Sequence, residues 1–130
     1  MQAANDADGL SGVIRNPANA NHFMAIKPVA QPVRIYAGEV LLADTKAAIR
    51  LQEVGRSVYD PVIYVPEQDV SAALTKTDRS THCPLKGDAS YYALAGEEIA
   101  WSYEAPLDFA SQLAGYRAFW ASKVKVVEGA

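Results

Sequence analysis

The sequence predicts a mainly β fold, a compact single domain of antiparallel sheets carrying one or two short helices. Three observations lead there. Short β-forming runs are separated by tight turn pairs, as at Ala37-Gly38 and around Gly96. Val62-Ile63-Tyr64-Val65, β-branched and aromatic, is bracketed by Pro61 and Pro66. The stretches between runs are too short for the crossover helices that parallel strands require. A chain of 130 residues buries about two-thirds of its unfolded surface, enough for one core and too little for two.

Taken in order, residues 1–25 are rich in Asn, Ala, Asp and Gly and show neither the helical nor the strand period. They read as an N-terminal arm, followed by a single β-rich domain over 26–130. An arm of this kind lies on its own domain or on a second copy, the second alternative giving a homo-oligomer formed through it. Val33-Arg34-Ile35-Tyr36 and Glu39-Val40-Leu41-Leu42 then form a hairpin across Ala37-Gly38. Asp44 to Glu53 fits a short helix or a strand. Gly55 and Pro61 bracket a loop before the Val62–Val65 strand. Pro66 presets the first position of a helical turn through Val70. Ser90 to Ala95 and Glu98 to Tyr103 make a second hairpin around Gly96. Asp108 caps a short helix ending before Gly115, and Tyr116–Trp120 and Val124–Val127 supply closing strands.

Composition excludes several classes. Lys and Arg number 12 against 15 Asp and Glu, so the net charge of −3 offers no overall attraction for nucleic acid or anionic lipid. No apolar run approaches the ~20 residues of a membrane helix, and the start lacks the basic and apolar regions of a secretory signal. The expected setting is cytoplasmic, with no membrane and no nucleic-acid partner. One cysteine cannot form an internal disulfide. One cysteine with two histidines is too few for a closed tetrahedral site unless a carboxylate joins them, so no metal and no cofactor are expected.

The informative stretch is Thr81-His82-Cys83-Pro84-Leu85-Lys86-Gly87-Asp88-Ala89-Ser90-Tyr91-Tyr92. Pro84 biases Cys83 toward extended backbone, and Gly87 permits a sharp turn or close approach directly after Lys86. A cation near a thiol stabilises the thiolate, so Cys83 is a candidate nucleophile or redox thiol. His82 or Lys86 would tune it, and Glu53 or Asp88 would move protons. Packing as a small buried hydrophobe is the competing fate of Cys83. Tyr91, Trp101 and Tyr103, with Tyr64, offer an aromatic wall on alternating strand positions.

This run resembles the Cys-Pro-x-Lys-Gly-x-Ala-x-Tyr signature of the bacterial domain-of-unknown-function family 427, which also carries a nucleotidyltransferase-like label. Gly38-Glu39-Val40 with Ala43-Asp44, Pro61–Pro66 with Asp69-Val70, Ala100-Trp101-Ser102-Tyr103 with Pro106, and Gly115-Tyr116 with Phe119 extend the resemblance over about residues 22–125. Leu85 stands where an aromatic is usual, and Gln52 where Arg often precedes the acid matching Glu53. The resemblance implies a small single-domain β-rich fold and no established activity. Nucleotidyl transfer needs paired carboxylates to hold magnesium, and the core strands contain no Asp-x-Asp or Asp-x-Glu.

The reading that follows is a small-molecule-binding β domain. Its pocket, beside the Cys-Pro-Leu-Lys-Gly loop, takes a small polar or anionic metabolite. The ligand-binding set is Lys86, Gly87, Asp88, Tyr91, Tyr64, Trp101 and Tyr103, and the candidate catalytic groups are Cys83, His82 and Glu53. Lys86 heads the set as an unpaired cation; the competing role is an ion pair to Glu53 or Asp88 that pins the loop. The alternatives are an enzyme working through Cys83 and a structural or partner-binding module.

Overall fold

The computed structural model describes residues 12–129. Eleven strands run in chain order: β1 (Ile14–Asn16), β2 (Asn19–Pro28), β3 (Val33–Ala37), β4 (Val40–Thr45), β5 (Ile49–Val54), β6 (Val62–Pro66), β7 (Thr75–Cys83), β8 (Gly87–Leu94), β9 (Glu97–Ser102), β10 (Tyr116–Phe119) and β11 (Lys125–Glu128). Two short 3₁₀ segments, Glu67–Asp69 and Asp108–Leu113, complete the fold. An eight-stranded sheet has the order β1-β2-β5-β6-β10-β9-β8-β7, and a three-stranded sheet the order β11-β3-β4. The strand pairs are antiparallel, as expected for the class. Among the described residues no helix is long and apolar enough to cross a membrane.

Strand alternation sorts the core into two clusters. Val65, Tyr92 and Phe119 pack with Val33, Ile35 and Leu42 of the small sheet. Their chain neighbours Tyr64, Tyr91 and Ala118 point the other way and pack with Met24, Leu51, Leu85, Tyr103 and Leu113. The second cluster is closed by the Pro84–Lys86 turn and the 108–113 segment rather than by another sheet.

Three sequence expectations are corrected, and one left open is resolved. The arm of residues 1–25 does not exist as such from Ile14 onward: β1 and β2 pair with each other, and β2 pairs with β5 from Phe23↔Val54 to Pro28↔Ile49. Met24 is 0% exposed, and residue 26 is no boundary because β2 runs through it. The segment escapes pattern reading because β2 shows one buried position in ten, its pairing being carried by backbone hydrogen bonds. The part of the supposed arm at 1–11 lies outside the described residues. Residues 14–25 are thereby engaged within the chain, which removes them as a free oligomerising arm. The first hairpin turns at Gly38-Glu39, one residue later than expected, since Ala37 pairs with Val40 and Gly38 takes φ of 59°. Asp44 to Glu53 resolves into the end of β4 and into β5. Leu107, not Asp108, precedes the second 3₁₀ segment, and no side chain caps it.

Candidate functional site

Glu53 lies near the end of β5, directly across from Met24 of β2, which brings His22 onto the same end of the sheet. The β7–β8 hairpin delivers the other half. Cys83 ends β7, and the amide of Lys86 donates to the Cys83 carbonyl at 3.3 Å to close the turn. Gly87 opens β8 with φ of 115°, and a Cβ there would sit 3.1 Å from the Leu107 amide nitrogen. The close approach that Gly87 permits is thus to the chain's own 105–107 segment. Leu107 N–H donates to the Lys86 carbonyl at 3.0 Å, holding the turn so that the Lys86 side chain runs inward.

There Lys86 Nζ donates to Glu53 Oε1 at 2.5 Å, with side-chain exposures of 10% and 15%. His22 Nε2 lies 2.7 Å from Glu53 Oε2. The direction of that bond follows from its neighbours. The Ala18 amide donates to Asn16 Oδ1 at 2.9 Å, which leaves Asn16 Nδ2 to face His22 Nδ1 at 3.3 Å. Nδ1 therefore accepts, and the ring proton resides on Nε2 and is donated to Glu53. Both carboxylate oxygens are engaged.

Charges follow this geometry. Burial pushes the Glu53 carboxyl up, but the Lys86 hydrogen bond and charge, with His22 behind them, hold it below the usual carboxylate range. Burial likewise pushes the Lys86 ammonium down, and the nearby Tyr64 oxygen and Glu53 outweigh it, leaving Lys86 above its usual value. Burial raises the Tyr64 and Tyr103 hydroxyls, so both are neutral at physiological pH. Tyr64 accepts from Trp101 Nε1 at 3.3 Å, and Lys86 Nζ sits 5.5 Å from the Tyr103 ring centre.

His22, Glu53 and Cys83 place their ligand atoms within 4.8 Å of one another, so the carboxylate that a metal site lacked in sequence is supplied here. The donor set nevertheless does not fit an ion. A metal needs the Nε2 lone pair, which Asn16 dictates to be a proton instead, and the Lys86 ammonium already neutralises Glu53.

Of the sequence-expected residues, Glu53, Cys83, Lys86, Tyr64 and Tyr103 converge. Lys86 is paired, which corrects its reading as a free cation. His82 and Asp88 do not converge: they oppose each other across β7 and β8, bonded at 2.8 Å and 63% and 76% exposed. The histidine beside Cys83 in space is His22, because His82 alternates to the other strand face. Tyr91 bonds Thr81 at 2.7 Å and stacks on Trp120.

Beside the cluster opens a cavity of about 320 Å³ lined by Asn19, His22, Glu53, Gly55, Arg56, Tyr59 and Pro84. Its rim, residues 55–59, is held by Gly55 N–H to the Ser57 carbonyl and Tyr59 N–H to the Glu53 carbonyl. His22, Arg56 and Tyr59 stand outside the ligand-binding and catalytic sets expected from sequence, where they are visible only as a metal-type histidine, a surface cation and a strand-flanking aromatic.

Compared with known families, the chain matches over residues 25–129 the model described as a domain of unknown function (DUF427). No curated protein matches it.

Proposed function

The chain belongs to the DUF427 family, a domain of unknown function, and from that premise we propose that it binds a small anionic metabolite in the cavity beside the Cys83–Gly87 turn. One observation carries the reading. Arg56 is exposed at the cavity and has no hydrogen-bond or ion-pair partner among the described residues, whereas the inner charges, Glu53 and Lys86, neutralise each other. An uncompensated guanidinium over a concave wall of Tyr59, Pro84 and the His22 edge suits a carboxylate or phosphate on a compact body. Lys86 acts in this reading as a positioning residue. It fixes Glu53, which fixes His22, and so sets the cavity floor.

The test is a thermal-shift titration with inorganic phosphate, pyrophosphate, citrate and a panel of mononucleotides. One anion class is expected to raise the melting temperature saturably, and Arg56→Ala to abolish the shift with the unliganded melt unchanged. Gly55→Ala, whose Cβ would meet Tyr59 at 3.3 Å and His22 at 3.4 Å, should weaken the same ligand by crowding the cavity. A shift that survives Arg56→Ala would remove the site from this cavity.

Thiol chemistry at Cys83 is the second reading, favoured by the proximity of its sulfur to His22 and Glu53. It meets a difficulty, since His22 offers a proton rather than a lone pair at Nε2. Alkylation of Cys83 by iodoacetamide faster than that of an unstructured cysteine peptide would revive it.

A further inference from the structure

A larger cavity of about 500 Å³ lies where the two sheets meet and carries no part of the proposal above. Its origin is a parting in the eight-stranded sheet. β6 and β10 pair only between Tyr64–Pro66 and Tyr116–Ala118, so Pro61–Ile63 and Phe119–Ala121 diverge instead of continuing the ladder. The wedge is lined by Ile35 and Val126 of the small sheet, by Ile63, Trp101 and Phe119 of the large one, and by Trp120 just past β10. Both tryptophans of the chain therefore face one cavity.

Their polar edges are already occupied. Trp101 Nε1 donates to the Tyr64 hydroxyl at 3.3 Å and Trp120 Nε1 to Glu98 Oε2 at 3.0 Å. The rings lie 4.6 Å apart at 46°, too close to admit a group between them, so what they offer a ligand is apolar ring surface. Charge collects at the rim. Arg50, from the interior strand β5, pairs with Glu128, from the edge strand β11, at 2.6 Å, both half-exposed. Lys27 stands directly opposite Arg50 in the β2–β5 register, exposed and without a partner among the described residues. Arg50 is thus the one cation lining the cavity among the described residues, and its carboxylate partner sits near the end of an edge strand.

We infer that this cavity binds a flat, ring-bearing molecule with a single anionic head. The ring system lies against Trp101 and Trp120. The head takes the Arg50 guanidinium from Glu128, a charge-assisted exchange that releases the Glu128 carboxylate to water on the exposed edge strand. Volume and lining match those of small-molecule sites, a mostly apolar concavity with one polar anchor.

The probe pair is anilinonaphthalene sulfonate and phenylnaphthylamine, which share a ring body and differ in the anion. With both tryptophans at the site, quenching of indole emission and energy transfer to the probe report occupancy directly. The sulfonate is expected to bind one per chain, with the cooperative melt retained. Arg50→Met should weaken it about tenfold or more, the loss of one charge-assisted bond, while changing the uncharged probe less than about twofold. Ala121→Phe, at an exposed lining position, should weaken both. Equal effects of Arg50→Met on the two probes would overturn the anionic head, and Ala121→Phe leaving both unchanged would move the site elsewhere. Failure of the sulfonate to saturate at one per chain would remove the site altogether. Sedimentation showing a dimer that excludes the probes would assign the cleft to a second copy instead. None of these outcomes touches Arg56, so this inference and the proposed function fail separately.

Discussion

Two histidine–carboxylate pairs lie close to Cys83 in sequence or in space, and they are near-identical in length. His22 meets Glu53 at 2.7 Å and His82 meets Asp88 at 2.8 Å. The first is largely buried, shares its carboxylate with an ammonium and has its tautomer set by Asn16. The second faces water on a hairpin surface, with no further partner among the described residues. A bond length therefore says little about whether a pair organises a site. What separates the two is desolvation, which makes every unpaired atom in the inner pair expensive and every one in the outer pair free to hydrate.

The harshest way to break the comparison is to remove the strand that brings His22 inside. Deletion of residues 1–25 takes away β1 and most of β2, strips the ladder from β5 and opens the space filled by Met24. Loss of cooperative urea unfolding, followed by far-ultraviolet circular dichroism, is the expected result. A truncated chain that still unfolds cooperatively would show that the first hairpin is an accessory. Next in size is Lys86→Met, which leaves Glu53 charged and without its ammonium. Breaking a buried pair in this way costs about 3–5 kcal/mol. Lys86→Met combined with Glu53→Gln should recover a large part of that loss, because no uncompensated charge then remains. A single variant as stable as the parent would place Lys86 in ligand contact rather than in the architecture.

The pH dependence sharpens the same contrast. The folded-state pKa of Glu53 is depressed, so its contribution is fully present above its ordinary value of 4.5 and is lost as pH falls through the folded value. Lys86 works in the opposite sense. Its raised value means a contribution fully present below 10.5 and lost as pH climbs through the folded value. Glu104, bonded to Lys76, Tyr92 and Ser90, is drawn down to about 2 and adds a second acid-sensitive contribution from the far end of the sheet. Stability measured between pH 6 and about pH 3 should therefore fall in the parent, fall less steeply in Glu53→Gln, and least in the Glu53→Gln, Glu104→Gln double variant. An unchanged acid slope in Glu53→Gln would mean that the inner carboxyl is not held charged by its partners.

Much of the fold was legible because strand period and turn chemistry are local. The Val62–Val65 run, the Ala95-Gly96 turn with its positive φ at both residues, and the 3₁₀ turn after Pro66 all read directly. β7 did not, since Thr75–Cys83 carries no buried position and its ladder uses backbone alone. The site was half legible. Cys83 and Lys86 share one turn, and Glu53 entered as an acid of suitable type. The pairing of His22 with Glu53 was not legible, because the two are 31 residues apart and the contact depends on β2 lying beside β5 rather than β3. Sequence adjacency favoured His82 instead, and alternation along β7 sends it to the wrong face.

The finest test asks whether the outer pair does anything at all. His82 and Asp88 oppose each other across the hairpin, so their bond competes with water at both ends and ties down two exposed side chains. Pairs of this kind are worth about 0–1 kcal/mol, and surface substitutions usually stay within about 0.5. His82→Gln and Asp88→Asn should each shift the urea midpoint by no more than that, with a coupling in a double-mutant cycle below about 0.5 kcal/mol. The matching cycle on His22→Gln and Glu53→Gln should give about 1 kcal/mol or more, because removing either partner strands a buried group. The ratio of the two couplings is the informative quantity, as both cycles pair a histidine with a carboxylate at nearly the same separation. Equal couplings would show that burial does not distinguish the pairs, and that the inner cluster owes its organisation to Lys86 alone.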